Sequence, residues 1–243
     1  MAGVTTRPLV LVAHGTADPT GVQVLEDLAG AVWVALAEAG RDVPVRLAHL
    51  ERAAPVLEDV VGVGEAPVVV PLFLARGYHV RTDLPGRLAR LAPDALLTPT
   101  LGAGPAVLEA LRRRVAGHVR PGSGVVLATA GSSDDGARAE VDSLGAELEA
   151  SAGVPVRVAR LSAGGPSVAE AVATLRGLGR SHLIGAVHLL APGHFWDRAQ
   201  RALAEPVFGA TTSPLATDRA VVEAVVGAYR EAVAAAPGPR STG

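Results

Sequence analysis

Cysteine and lysine are both missing from this chain of 243 residues, and each absence removes a class of chemistry. There is no cysteine, which excludes disulfides, thiolate nucleophiles, Cys-ligated zinc and iron–sulfur clusters. There is no lysine either, all 22 basic residues being arginine, so Schiff-base catalysis and the phosphate-gripping lysine of a P-loop are excluded. The net charge of −2 mixes Arg with Asp and Glu, which predicts no nucleic-acid partner. Apolar runs such as Leu9–Ala13 and Val68–Ala75 stop well short of the ~20 residues of a membrane span, and no basic segment precedes an apolar one at the start. A cytoplasmic protein without a membrane partner is expected. What is abundant is apolar: hydrophobic residues make up 49% of the chain and charged residues 19%, enough for a sizeable core. Chemistry is left to His, Asp, Glu, Arg and hydroxyl groups.

Short apolar β-type runs alternate with longer amphipathic stretches. Strands are predicted at 8–13, 43–50, 67–74 and 95–98, and helices at 22–39, 55–63, 83–91 and 105–116. This alternation argues for a parallel sheet covered on both faces. The plan then repeats. The stretch 118–124 reads as a linker, after which Ala130-Gly-Ser-Ser-Asp134 stands where His14-Gly-Thr-Ala-Asp18 stood, 116 residues earlier. Ala159–Pro166 matches Ala48–Pro55 at an offset of 111, and Leu190–Phe195 matches Leu74–His79 at 116. Two copies of one α/β module follow, over 1–118 and 119–243, with 234–243 as a tail.

Three candidate ligands fall just after three successive strands of the first copy: His14, Glu51 and His79. The carboxyl ends of the strands of an open parallel sheet face one crevice, which is where ligands bind. Two imidazoles and one carboxylate with open positions suit a divalent first-row metal. Gly15 and Gly77 would admit a planar ligand close to the backbone. The second copy has Ala130, Ser162 and Phe195 at these positions, so the first copy is expected to carry the site. A one-residue gap would instead pair His79 with His194. Ordinary roles are expected elsewhere: surface for His118 and His182, core for His188, a mainly structural place for His49 and a helix N-cap for Asp83.

The motifs around these residues resemble the sirohydrochlorin chelatase family, the class II chelatases of the CbiX and SirB type. They are Ala13-His-Gly-Thr-Ala17, His49-Leu-Glu51 with Pro55, and Pro71-Leu-Phe-Leu-Ala-Arg-Gly-Tyr-His-Val-Arg-Thr-Asp-Leu-Pro85. The resemblance is strong over the first half and degenerate over the second, as in the long two-domain form. Ala17 stands where the family usually has Arg, and His49 where it often has Phe. The resemblance implies two tandem flavodoxin-like halves facing a central cleft. It also implies a lyase that inserts Fe2+ or Co2+, or Ni2+, into sirohydrochlorin without ATP, for siroheme or cobalamin synthesis, with no cofactor beyond the metal substrate. His14, Glu51 and His79 would hold the metal and act as catalytic groups. Gly15, Thr16, Arg52, Arg76, Gly77 and Arg81 would contact the tetrapyrrole, since arginine grips carboxylates bidentately. The same His/Glu/His set would also serve a metal-dependent hydrolase or a non-enzymatic metal carrier or sensor.

Overall fold

The computed structural model describes residues 7–75, 77, 79–162 and 164–236. Arg76, one of the expected substrate contacts, lies outside them. Four strands, β1 (Leu9–Ala13), β2 (Val45–His49), β3 (Val68–Pro71) and β4 (Leu96–Leu97), form a first parallel sheet in the order β2-β1-β3-β4. Four more, β5 (Ser123–Thr129), β6 (Val156–Arg160), β7 (His182–His188) and β8 (Phe208–Thr211), form a second parallel sheet in the order β6-β5-β7-β8. The expected pair of α/β sheets is therefore present, with one strand order used twice.

The helices are α1 (Pro19–Glu38), α2 (Leu57–Val60), α3 (Leu84–Leu91), α4 (Pro105–Ala116), α5 (Asp135–Ala152), α6 (Val168–Gly177), α7 (His194–Ala202) and α8 (Arg219–Ala235). They sort into layers through the period-2 alternation of the strands. Leu9, Leu11 and Ala13 face a central core shared with Leu28 and Val32 of α1, Leu111 of α4, Leu144 and Leu148 of α5, and Val221 and Val225 of α8. Val10 and Val12 face an outer core with Leu57 of α2 and Leu84 and Leu88 of α3. In the second sheet Val125 and Leu127 face the central core, while Val126 and Ala128 face α6 and α7. Between the two sheets, α1 and α8 pack on the first and α4 and α5 on the second, so α8 crosses to pack on α1, α4 and β3 while α4 crosses to β7. The Tyr229 hydroxyl of α8, almost wholly buried, donates to the Arg7 carbonyl at 2.8 Å and ties the two ends of the described chain together.

Helix α1 has the length and hydropathy of a membrane span, although no uninterrupted apolar run in the sequence reaches that length. Its stripe of Leu25, Leu28, Val32 and Leu36 is spent on the central core. Asp18 caps this helix, its side chain accepting from the Thr20 N–H at 2.8 Å.

The duplication is legible in the registers. Leu9 pairs with Val68 and Val125 with Ile184, a constant shift of 116. Ala13 pairs with His49 and Thr129 with Arg160, which gives the shift of 111 at the second strand. The helices after β3 and β7 are different. Their buried positions are Leu84 and Leu88 in one, and Ala199 and Leu203 in the other, a shift of 115. The first half thus holds one residue more between Gly77 and Leu84 than the second holds between Gly193 and Ala199. A π-helical turn at His79–Asp83 accommodates it, the usual local solution for one extra residue in a helix.

Candidate metal centre

The site forms where the strand order reverses, at the carboxyl ends of β1, β2 and β3. Backbone bonds continue the β1–β2 ladder past the strands: Leu50 N–H donates to the Ala13 carbonyl at 2.9 Å and Glu51 N–H to the His14 carbonyl at 3.0 Å. That pairing sets the two side chains next to each other. His14 Nε2 lies 3.0 Å from Glu51 Oε1. The π-turn after β3 brings His79 to the same place, its ring centroid 4.8 Å from that of His14 at an interplanar angle of 53°. One ligand atom from each of His14, Glu51 and His79 lies within 4.8 Å of the other two. An ion placed among three such donors needs only small side-chain movements to bind all of them, and it keeps open positions.

Neighbouring groups tune these donors. Asp83 is not the N-cap that its position suggests: it makes no capping bond, and its backbone is already helical. Its Oδ2 lies 3.3 Å from His79 Nδ1 instead. A carboxylate in this position fixes the tautomer and would leave Nε2 free for a metal. Arg52, in the left-handed backbone region at φ 66°, brings its Nε to 3.4 Å from Glu51 Oε1. Burial lowers the pKa of His14 and outweighs the opposing pull of Glu51; His79 and Arg52 lower it further. A carboxylate beside an imidazole favours its charged form, but here desolvation is larger.

His49 is fully buried, and neither ring nitrogen has a hydrogen-bond partner among the described residues. Burial lowers its pKa against a smaller upward pull from Glu26. His188 is a core residue as expected, 3% exposed, with Nδ1 3.3 Å from Thr129 Oγ1.

Beside the His14/Glu51/His79 cluster lies a cavity of about 630 Å3, walled by both halves. The first half supplies Ala13–Pro19, Leu25, Arg52 and Leu72, and the second supplies Leu189–Asp197. Its volume falls within the roughly 300–1,000 Å3 common for small-molecule sites. Glycines hold the halves together here. A Cβ on Gly21 would stand 2.2 Å from the Pro192 carbonyl oxygen, and one on Gly193 would stand 2.6 Å from Thr16 Oγ1. Of the expected substrate contacts, Gly15, Thr16 and Arg52 line the cavity. Gly77 accepts through its carbonyl from the Val80 and Arg81 N–H groups. Arg81 reaches across to the second half, with Nη1 3.3 Å from Asp134 Oδ2. What the motifs leave unmarked is the second-half wall of His194, Phe195, Trp196 and Asp197. The repeat itself is the signal for it, because it puts the β7–α7 loop opposite the β1–α1 loop.

Tandem parallel sheets, with an open His/Glu/His cluster on one and a shared cavity between them, define a chelatase-like α/β protein. The comparisons with known proteins agree. The CbiX family model matches the chain twice, over residues 8–118 and 124–232, and the chain belongs to this family. A sirohydrochlorin cobaltochelatase of Methanosarcina acetivorans is 31% identical over 86 residues, a match covering 33% of this chain and 63% of that protein. The structure of SirB from Bacillus subtilis with Fe3+ superposes with a TM-score of 0.73 at 23% identity, covering 94% of this chain and 96% of the other. The structure of CbiX described as the terminal enzyme of siroheme biosynthesis in denitrifying bacteria gives 0.70 at 23% identity, covering 95% and 100%. At such identities the likeness is one of fold.

Proposed function

We propose that this protein is a sirohydrochlorin chelatase, a lyase that inserts Fe2+ or Co2+ into sirohydrochlorin without ATP for siroheme or cobalamin synthesis. In this reading 1–118 carries the active site and 119–243 is a degenerate repeat that closes the cleft. The observation that carries it is the convergence of His14, Glu51 and His79 within 4.8 Å beside a cavity open to a planar ligand. Family membership and the cobaltochelatase relative support the choice of substrate.

The chemistry suits the donor set. Insertion needs a metal held firmly enough to be captured and loosely enough to be surrendered. Three mixed N/O donors with open positions do that better than a closed four-ligand cage. The buried Nδ1 of His14 has no partner among the described residues, so the ring lacks the supporting bond that normally strengthens a ligating histidine. A lowered pKa keeps His14 neutral and able to bind metal near neutral pH. Sirohydrochlorin carries many carboxylates. Gly15, Thr16, Arg52, Arg76, Gly77 and Arg81 are the groups we assign to it, with Arg52 placed best because it lines the cavity.

Visible absorbance during incubation with sirohydrochlorin and Co2+ or Fe2+ tests the reading. A chelatase converts many equivalents of tetrapyrrole per protein. Stoichiometric metal binding with no conversion would mark a carrier or sensor, and the functional reading would fall.

A further inference from the structure

We infer that His194, from the second half, accepts a pyrrole proton from a tetrapyrrole bound in the cavity that His14 also lines. The inference rests on the functional reading above and adds a catalytic residue to it.

Three observations lead there. The first is register. Counted forward from the matched glycines Gly77 and Gly193, His79 corresponds to Phe195. Counted back from the first buried helix positions, Leu84 and Ala199, it corresponds to His194. The difference is the one residue absorbed by the π-turn at His79–Asp83. On the helix count the second copy has kept its histidine while losing the partners of His14 and Glu51 to Ala130 and Ser162.

The second observation is placement. His14 and His194 line the same cavity, from different halves of the chain. His194 opens α7, and the β7–α7 loop just before it is locked in place, because Gly193 and Pro192 press against Thr16 and Gly21 with no room for a Cβ on either glycine. The Phe195 ring sits edge-on to the imidazole, centroids 5.3 Å apart at 68°. The ligand cluster among the described residues is His14, Glu51 and His79, so His194 stands outside the metal set.

The third is stoichiometry. Insertion breaks two N–H bonds on the macrocycle and forms metal–nitrogen bonds in their place, so two protons must leave. While the metal occupies His14 and His79, their ligating nitrogens are unavailable to those protons, and the carboxylate of Glu51 is a weaker base for as long as it neutralises the metal. His194 takes the first on a ring nitrogen, from the second-half wall. Glu51 takes the second as the metal leaves it. A positioned proton acceptor typically contributes 10²–10⁴-fold to rate.

The test compares wild type, His194→Gly and His194→Gln in sirohydrochlorin-dependent Co2+ insertion, alongside Co2+ binding without tetrapyrrole and thermal melting. Both variants should insert Co2+ at least about 100-fold more slowly, bind Co2+ as wild type does, and melt as wild type does. Added imidazole should restore rate to His194→Gly, which leaves room for it, and not to His194→Gln. If the glycine variant fails to fold, His194→Gln carries the rate and binding comparison. Rates within twofold of wild type, weakened Co2+ binding, or a folded His194→Gly variant indifferent to imidazole would each overturn the role. A wild type that binds Co2+ yet never converts sirohydrochlorin would overturn the functional reading instead.

Discussion

A Cβ on Gly15 would stand 1.8 Å from the carbonyl oxygen of Glu51. Gly15 also has φ +100°, a conformation open almost only to glycine. The loop that presents His14 can therefore lie against the loop that presents Glu51 only because residue 15 has no side chain. Gly15→Ala must move one loop off the other, and strain of this kind costs about 1–3 kcal/mol. We expect its melting temperature to fall by a few degrees and its affinity for Co2+ to drop at least about tenfold, measured by calorimetric titration.

Much of this arrangement is legible in the amino-acid sequence. Apolar runs mark the strands, the repeat marks the two sheets, and three candidate ligands at three strand ends point to one rim. Three features are not legible there. Asp83 sits where an N-cap belongs, but the π-turn before it uses its carboxylate on His79, and nothing local in sequence marks a π-turn. The count of residues between Gly77 and Leu84 depends on which helix positions are buried, which is a tertiary property. Arg81 looks like any exposed arginine until the fold brings Asp134 to it.

The pH dependence of metal binding has a definite sign. His14 is lowered from its usual 6.5, chiefly by burial, so its neutral, ligating form persists below that pH. Protonation competes with metal for the same nitrogen. The acid limb of Co2+ binding should therefore have its midpoint below 6.5, moving lower still as metal concentration rises. Titrations from pH 5 to 8 at two Co2+ concentrations check both points.

His188 predicts a separate effect on stability. Burial lowers its pKa to about 4, against 6.5 in an unfolded chain. Above pH 6.5 the ring is neutral in both states and stability is unaffected. As pH falls from 6.5 toward 4 the unfolded state alone takes up the proton, and up to about 3 kcal/mol is lost. His188→Leu, which installs the residue found at the matching position of the first half, Leu72, should flatten this loss. Urea unfolding at pH 7 and pH 4.5 measures it: the wild type should lose clearly more stability than the variant.

Asp134 has two roles that can be separated. Its Oδ1 caps α5 by accepting from the Ala137 N–H at 2.7 Å, and its Oδ2 receives Arg81. Losing the cap costs about 1 kcal/mol, whereas an exposed pair contributes less. Asp134→Ala should lower the melting temperature by about 2–4 °C, and Arg81→Ala should barely move it. If Arg81 also holds a substrate carboxylate, Arg81→Ala raises KM for sirohydrochlorin several-fold and leaves Co2+ binding unchanged.

In the proposed function, His14, Glu51 and His79 hold the metal that is inserted. The most direct measurement is the initial rate of Co2+ insertion into sirohydrochlorin by wild type, His14→Ala, Glu51→Gln and His79→Ala, with Co2+ affinity determined on the same samples. Both histidine variants should lose metal affinity and insertion together, by about 100-fold or more, and Glu51→Gln should follow, all three keeping wild-type melting curves. Wild-type rates and affinities in His14→Ala and His79→Ala would contradict it.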